Sequence, residues 1–411
     1  MLQMFVWSLS LYNTIEFKVS FFYAKSRTCS FIANKICLVN KKIYNILNED
    51  FCEIEKEKYQ KELKFLIEKG ILIKDQKEYE RLNFLPKYEQ RIKERNFNIH
   101  TVYFHITQRC NLKCEYCYNR ENLNKQEELS TAEVEKVLGI LQNLGVRTII
   151  LTGGEALLRG DIIQIAQWIK EKGFRLEVLT NGTMLNDRRK ILELADSLII
   201  SIDTFENRQN LRKGLNIEKL VETLKKVEYP FRKKIYLRSV VSCKDMESWK
   251  CVEDFSEKEG YTFLKSIYMP NSKEEIKFVP EIEKLGVQKN KDITTNLSNE
   301  ICGAGYAEIA LDSNGDIYPC QMLVKKEWKL GNIFENKWES SIIKIFKNRN
   351  LNDIPICKEC EYKYLCGGGC PAVAYNIYKT TETAPTVACN FIKMEIDNKM
   401  MRILEENEKN S

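Results

Sequence analysis

From residue 101 to residue 268 the chain alternates short apolar runs with longer amphipathic stretches. The runs, at 102–107, 147–152, 175–180, 197–203, 235–241 and 262–268, are rich in Val, Ile, Leu and Thr and read as buried strands. Between them the apolar positions take helical spacing. Ser130-Thr131-Ala132-Glu133 forms a capping box that opens a helix toward Leu144, and the helix at 161–172 closes at Gly173. Strand alternating with helix in this way predicts parallel βα units, whose crossovers curl them into a barrel or part of one. Reactive residues are then expected at the C-terminal ends of the strands.

The flanks are patterned differently. At 15–35, Ile15, Phe17, Val19 and Phe21 alternate with Glu16, Lys18 and Ser20, and after a break at 25–28 the apolar pattern resumes, which predicts a β-hairpin. Helical spacing follows at 41–47 and 55–69, with Gly70 as a C-cap and a short strand at 71–73, so residues 1–95 read as a small winged-helix-like unit. The stretch 75–99, dense in Lys, Glu and Arg around Pro86, reads as an exposed linker or helix, and 271–300 as a bridge to a third region. In that region the turn Asp312-Ser313-Asn314-Gly315-Asp316 joins strands at 308–311 and 317–318, which would bring Cys302 near Cys320. Residues 396–411 complete the chain as a helix or tail.

Composition narrows the class. With 411 residues, 44% of them hydrophobic and 30% charged, two or three soluble globular domains are expected. The net charge of +6 is modest, and the lysines are interleaved with acids, which describes a solvated surface better than a nucleic-acid groove. The apolar start from Met1 to Tyr12 lacks a basic n-region, since the first lysine is Lys18, and no small-residue cleavage site follows, so export is not expected. No run of about twenty apolar residues predicts a membrane span. The 15 cysteines include groups at metal-ligand spacing rather than a disulfide framework, which points to a reducing, cytoplasmic setting.

The candidate chemistry lies in those cysteines. Cys110, Cys114 and Cys117 stand at C-x3-C-x2-C spacing directly after the first strand. Three thiolates on one loop can hold three corners of a cubic iron–sulfur cluster, and with the next cysteine at Cys243 the fourth iron stays open to an exogenous ligand. A structural zinc site is a second reading, although the only histidines, His100 and His105, lie upstream. Three core thiols are a third, against which the polar neighbours Asn111, Lys113 and Glu115 argue. Thr152-Gly153-Gly154-Glu155 ends the second strand, where two glycines allow close backbone approach and Glu155 offers a carboxylate to an amino group. Asn181-Gly182 ends the third strand, and Ser201 and Asp203 the fourth. Later come Cys302, Cys320, Cys357-x2-Cys360-x5-Cys366-x3-Cys370 and Cys389; a zinc ribbon on Cys357, Cys360, Cys366 and Cys370 is the alternative to iron. Cys29, Cys37, Cys52, Cys243 and Cys251 lack such spacing and read as structural thiols.

The loop from Cys110 to Cys117, with Tyr116 before the last cysteine, resembles the signature of radical S-adenosylmethionine (SAM) enzymes, and the seven cysteines from Cys302 to Cys389 resemble a SPASM domain. The resemblance implies an α/β fold: a partial (β/α)6 TIM-like barrel over 96–270, an iron–sulfur SPASM domain over 301–395, and an N-terminal winged-helix-like lobe that recognises a leader peptide. It implies a [4Fe–4S] cluster on Cys110, Cys114 and Cys117 whose open iron chelates SAM, which on reduction releases a 5′-deoxyadenosyl radical. Gly153, Gly154 and Glu155 would meet the methionine amino group, although Ala156 stands where proline is common. Asn181 would bind the cofactor, Ser201 and Asp203 would bond its ribose, and Arg212 or Arg238 would neutralise the methionine carboxylate. The run Asp203-Thr204-Phe205 departs from the Asp-Gly of many relatives. Two auxiliary [4Fe–4S] clusters are implied: a proximal one on Cys302, Cys320 and Cys370, and a distal one on Cys357, Cys360, Cys366 and Cys389. The proximal set has three thiols, because no cysteine lies between Cys251 and Cys302. Its fourth corner would take a substrate thiolate, a non-cysteine protein ligand or water.

The activity implied is hydrogen abstraction from a precursor peptide ending in a thioether or carbon–carbon cross-link, with an external flavodoxin- or ferredoxin-type electron donor and no nucleic-acid partner. An anaerobic sulfatase-maturing enzyme, forming formylglycine, is the rival among enzymes, although about a hundred residues precede Cys110. An iron–sulfur redox sensor that binds DNA through the winged lobe is the rival of another class.

Overall fold

In the computed structural model of the protein, the described residues are 99–125, 127–206, 211–281, 302–335, 338, 351, 353–360, 362, 366–394 and 396, together with the backbone of six short strands before residue 74. The central feature is a nine-stranded sheet. Its strands are β1 (Thr101–Thr107), β2 (Thr148–Gly153), β3 (Arg175–Thr180), β4 (Ser197–Ser201), β5 (Ile235–Val241), β6 (Thr262–Ile267), β7 (Glu308–Leu311), β8 (Asp316–Tyr318) and β9 (Gly331–Asn332), in the order β6-β5-β4-β3-β2-β1-β7-β8-β9. Strands β6 through β1 and on to β7 run parallel, and β8 and β9 are antiparallel additions. The six βα strands thus lie side by side in chain order, as the alternating pattern predicts.

Helices α1 (Thr131–Asn143), α2 (Ile162–Glu171), α3 (Ile191–Leu194), α4 (Ile217–Lys225) and α5 (Trp249–Glu259) connect the strands. The capping box at the start of α1 is formed in both directions: Glu133 N–H donates to Ser130 Oγ, and Ser130 N–H donates to the Glu133 carboxylate. Val134, Val137, Leu138 and Leu141 form the buried stripe of α1, and Ile162, Ile165, Ala166 and Ile169 that of α2. They share one apolar core with Val102, Phe104 and Ile106 of β1. Each such side chain removed from water contributes roughly 1.5–3 kcal/mol, so the helices are fixed by this face rather than by local propensity.

Strand β7 belongs to the third sequence region but pairs with β1 in register, Glu308 beside Thr101 and Ala310 beside Tyr103. The turn after it closes at Gly315, whose φ of 86° suits glycine, and β8 returns alongside. The chain near Cys302 and Cys320 is therefore tied to the sheet that carries the first cysteine loop.

A separate compact unit comprises Met1–Arg95, Glu359–Tyr364 and Met394–Ser411. Four of its six described strands form an antiparallel sheet in the order Gln3–Val6, Ser20–Lys25, Ser30–Phe31, Leu72–Ile73. Of the hairpin expected at 15–35, Ser20–Lys25 pairs with Ser30–Phe31, Ala24 opposite Phe31 and Lys25 opposite Ser30, whereas Ile15–Phe17 pairs with Leu9–Leu11 instead. The helices expected at 41–47 and 55–69, the linker, the residues 282–300 of the bridge and the tail from 397 lie outside the described residues, as do Cys29, Cys37 and Cys52. Among the described residues no helix is long and apolar enough to cross a membrane.

Candidate functional site

The cysteine loop leaves β1 through Thr107, Gln108 and Arg109, which run against the end of β2. Gly154 N–H donates to Thr107 O at 2.9 Å, and Glu155 N–H to Arg109 O at 2.8 Å. A Cβ on Gly154 would stand 2.3 Å from Arg109 O, and one on Gly153, at φ 130°, would stand 2.1 Å from Thr107 O. The two glycines are thus needed for chain to approach chain, a purpose beyond the ligand approach expected from the sequence. Gly154→Ala is expected to force the loop outward, costing about 1–3 kcal/mol and weakening iron uptake at Cys110. Unchanged melting temperature and iron content would refute this.

Glu155 is 2% exposed. Burial raises its pKa, opposed by three donors: Leu157 N–H at 3.0 Å, Thr180 Oγ at 2.7 Å and Asn181 N–H at 2.7 Å. The carboxylate is thereby fixed at the cavity edge with capacity for a further donor. The Asn181 side chain faces the cysteine loop, donating to Asn111 Oδ1 at 2.9 Å, while the Asn111 amide donates to Thr183 Oγ at 2.9 Å.

Asp203 lies one layer behind. It accepts from the Tyr116 hydroxyl, from Val240 N–H at 2.9 Å and from Arg212 Nη2 at 3.2 Å, and Arg212 Nε stands 3.0 Å away. Burial works against the Arg212 charge, but the Asp203 carboxylate outweighs it and holds the guanidinium above its ordinary pKa. The Arg212 guanidinium also lies 5.2 Å from the Tyr116 ring centroid, and its backbone pairs with that of Cys114. Asp203 and Arg212 therefore hold the loop that carries Cys114 and Tyr116. Arg238 differs: its described hydrogen bond goes to the neutral Ser266 Oγ at 2.9 Å, no carboxylate pairs with it among the described residues, and burial lowers its pKa.

These groups surround a cavity of about 260 Å³, which Cys110, Cys114, Cys117, Tyr116, Glu155 and Arg238 all line. Gly153, Gly154, Asn181, Ser201 and Arg212 reach it too, so of the residues expected here only Asp203 stands back. Burial is the main cause raising the pKa of each loop thiol, that of Cys110 to about 11. A bound cation would be needed to strip their protons. Among the described residues no three His, Cys, Asp or Glu side chains are gathered closely enough for a single metal ion. A cube of four irons, which spreads its thiolates over separate corners beside an open volume, fits the three thiols better.

Residues 104–228 match the radical SAM superfamily, and residues 302–361 match SPASM, an iron-sulfur cluster-binding domain. The chain thus carries one region similar to the radical SAM superfamily and one similar to SPASM. The two domains imply a [4Fe–4S] cluster and auxiliary clusters. The chain is 27% identical over 264 residues to the antilisterial bacteriocin subtilosin biosynthesis protein AlbA of Bacillus subtilis, 58% of either chain. It is 39% identical over 104 residues to a "probable GTP 3′,8-cyclase" of Methanothermobacter marburgensis, 25% of this chain and 34% of the relative. It thus spans less than two thirds of both. The fold is similar to Streptococcus suis SuiB bound to S-adenosylmethionine, with a TM-score of 0.55 and 16% identity over 87% of this chain and 95% of that one.

On the SPASM side, Cys320 packs with Ala304, Leu323 and Ala372, and Cys302 and Cys370 border the same small cluster. Cys370 sits at the N-cap of α6 (Pro371–Tyr378). Cys357 is buried, whereas Cys360, Cys366 and Cys389 are partly exposed. Grouping these four around one cluster rests on their spacing. The radical SAM loop is joined to the β7–β8 hairpin by buried amides: Gln108 donates to Asp312, Asn119 to Gln108 Oε1 at 2.7 Å, and Asn122 to Val324 O at 2.8 Å. Gln321 and Met322, which follow Cys320, line the cavity with Tyr118 and Tyr268. Sequence reasoning missed all four. Tyr268, directly after β6, was within reach of the strand-end rule, but Gln321 is brought in only by the pairing of β7 with β1. Cys243 and Cys251 hydrogen-bond backbone carbonyls of Lys277 and Ser248.

Proposed function

We propose that the protein is a radical SAM peptide maturase that modifies a ribosomally made precursor, closing a thioether or carbon–carbon cross-link. One observation carries this: a single cavity extends from Cys110, Cys114 and Cys117 to Gln321 and Met322 beside Cys320. A side chain seated there would lie between the site of hydrogen abstraction and the auxiliary thiols, as an oxidative cross-link requires. The printed names of two relatives point the same way: AlbA serves bacteriocin biosynthesis, and SuiB has been solved with its precursor peptide SuiA.

Cys110, Cys114 and Cys117 would hold the first cluster; Cys302, Cys320 and Cys370 the proximal auxiliary one; and Cys357, Cys360, Cys366 and Cys389 the distal one. When bound, the cluster and SAM supply a 5′-deoxyadenosyl radical that takes a hydrogen atom from substrate. Glu155 fixes the methionine amino group. Arg238 receives the carboxylate, because Arg212 is already committed to Asp203. Arg238→Gln is therefore expected to raise the KM for SAM about ten- to a hundredfold, the worth of a charge-assisted hydrogen bond of about 1.5–3 kcal/mol. A KM within twofold of wild type would remove Arg238 from this role. The unit containing Met1–Arg95 would bind the leader, and a flavodoxin- or ferredoxin-type protein of the cytoplasm would deliver electrons.

The test is to incubate reconstituted, reduced protein with SAM and a cysteine-containing precursor encoded beside it. A peptide lighter by two hydrogens, with a cross-link located by fragmentation, is expected. Conversion of a sulfatase peptide to formylglycine instead would overturn the reading in favour of sulfatase maturation.

A further inference from the structure

The outer side of the cysteine loop is positively charged. Lys113 and Cys114 pair with Lys213 and Arg212 in a two-stranded antiparallel ribbon, whose register sets Lys113 directly opposite Lys213. Like charges placed opposite one another work against the pairing, so the ribbon keeps these two at a cost in stability. Both side chains reach solvent, that of Lys213 with 58% of its surface exposed.

The neighbouring contacts add three more cations and one carboxylate. Glu115 accepts from Lys244 Nζ at 2.6 Å and lies 3.5 Å from Lys213 Nζ, so it answers two lysines at once. Lys244 Nζ also stands 4.6 Å from the centroid of the Phe278 ring, and Lys277 Nζ stands 5.3 Å from it. Arg120 donates through Nη2 to Cys114 O at 3.1 Å and to Glu115 O. Among the described residues no carboxylate pairs with Lys113, Arg120 or Lys277. Acids close by in the chain are engaged elsewhere: Asp245 accepts from Ser248 N–H, Glu247 pairs with Lys250, and Glu275 accepts from the Tyr268 hydroxyl.

This surface is built onto the loop. Phe278, which carries two of the lysines, meets Tyr268 edge-on at 6.0 Å, and Tyr268 meets Tyr116 edge-on at 6.3 Å, one residue before Cys117. The whole chain has a net charge of only +6 with its lysines and acids interleaved, so five cations linked through one carboxylate are a local concentration. Electron transfer falls steeply with distance, and whatever reduces a cluster on Cys110, Cys114 and Cys117 has to approach this loop. Encounters between redox proteins bury little area and rely on complementary charge to bring the partners together.

We propose that Lys113, Arg120, Lys213, Lys244 and Lys277 form the docking surface for the electron donor, a small redox protein with an acidic face around its own cofactor. The inference rests on the proposed function and assigns the surface through which its reductant acts. An acidic peptide would satisfy the same charges, but it has no need to approach the cysteine loop.

The test uses the full, anaerobically reconstituted protein and compares SAM cleavage driven by dithionite with cleavage driven by reduced flavodoxin, an acidic protein. Lys213→Glu with Lys277→Glu reverses two exposed charges, and Lys136→Glu on the exposed face of α1 is the control. With about twelve irons in each protein, the double variant is expected to lose at least about tenfold of its flavodoxin-driven rate at low salt, the scale of electrostatic steering, and to stay within about twofold of wild type with dithionite. The control should match wild type with both reductants. Salt at about 0.5 M should slow the flavodoxin-driven reaction of the wild type severalfold and leave the dithionite reaction nearly unchanged. A flavodoxin-driven rate that is equal in wild type and double variant, absent in both, or lost to the same degree with both reductants would overturn the docking surface alone. A double variant that keeps its flavodoxin-driven rate but needs more precursor peptide would give the surface to an acidic peptide and overturn the proposal too. Wild-type protein that leaves SAM intact with dithionite would overturn the proposed function and this inference with it.

Discussion

Alanine at Cys110, Cys114 and Cys117 together is expected to abolish reductive SAM cleavage, a loss on the order of a thousandfold or more, while about eight of about twelve irons stay bound. The three thiols lie on one loop after β1, and that loop faces the cavity. Cys302 and Cys320 flank the β7–β8 hairpin and Cys370 caps α6, so their positions come from other elements. The link between the sites runs through Gln108, Asn119 and Asn122, none of which the substitution touches. Quantifying 5′-deoxyadenosine and iron on the same preparation separates the roles. Retained cleavage would refute the assignment of the loop, and loss of nearly all iron would refute the independence of the sites.

Asp203→Ala is expected to destabilise the protein by about 3–5 kcal/mol, the cost of leaving one member of a buried ion pair alone. The side chains of Arg212 and Asp203 are 10% and 6% exposed, so solvent cannot replace the lost partner. The Tyr116 hydroxyl and Val240 N–H lose their acceptor too. Because Arg212 pairs with Cys114 along the backbone, the damage should reach the cysteine loop and show as weaker iron binding there. Asp203→Asn, which keeps the shape and one acceptor, should cost less. Denaturant titration measures both, and a loss below about 1 kcal/mol for the alanine variant would contradict the clamp.

The six βα strands were legible because buried parallel strands are continuous apolar runs, and the run at 147–152 differs from β2 (Thr148–Gly153) by one residue at each end. The pairing of β7 with β1 was not legible. It joins residues about two hundred positions apart, and local pattern carries no record of such a contact. Cys110, Cys114 and Cys117 were readable as one group from their spacing, and they line one cavity, whereas the place of Asp203 depends on Tyr116, 87 residues before it, and on Arg212 beyond it. Gly153 and Gly154 were singled out for a ligand, whereas the nearest atoms to their missing Cβ groups belong to Thr107 and Arg109.

The most direct measurement is of SAM itself: anaerobically reconstituted protein is reduced, given SAM, and assayed for 5′-deoxyadenosine. Formation of the nucleoside by protein carrying about twelve irons is the predicted result. Intact SAM in the presence of fully loaded, reduced protein would contradict it.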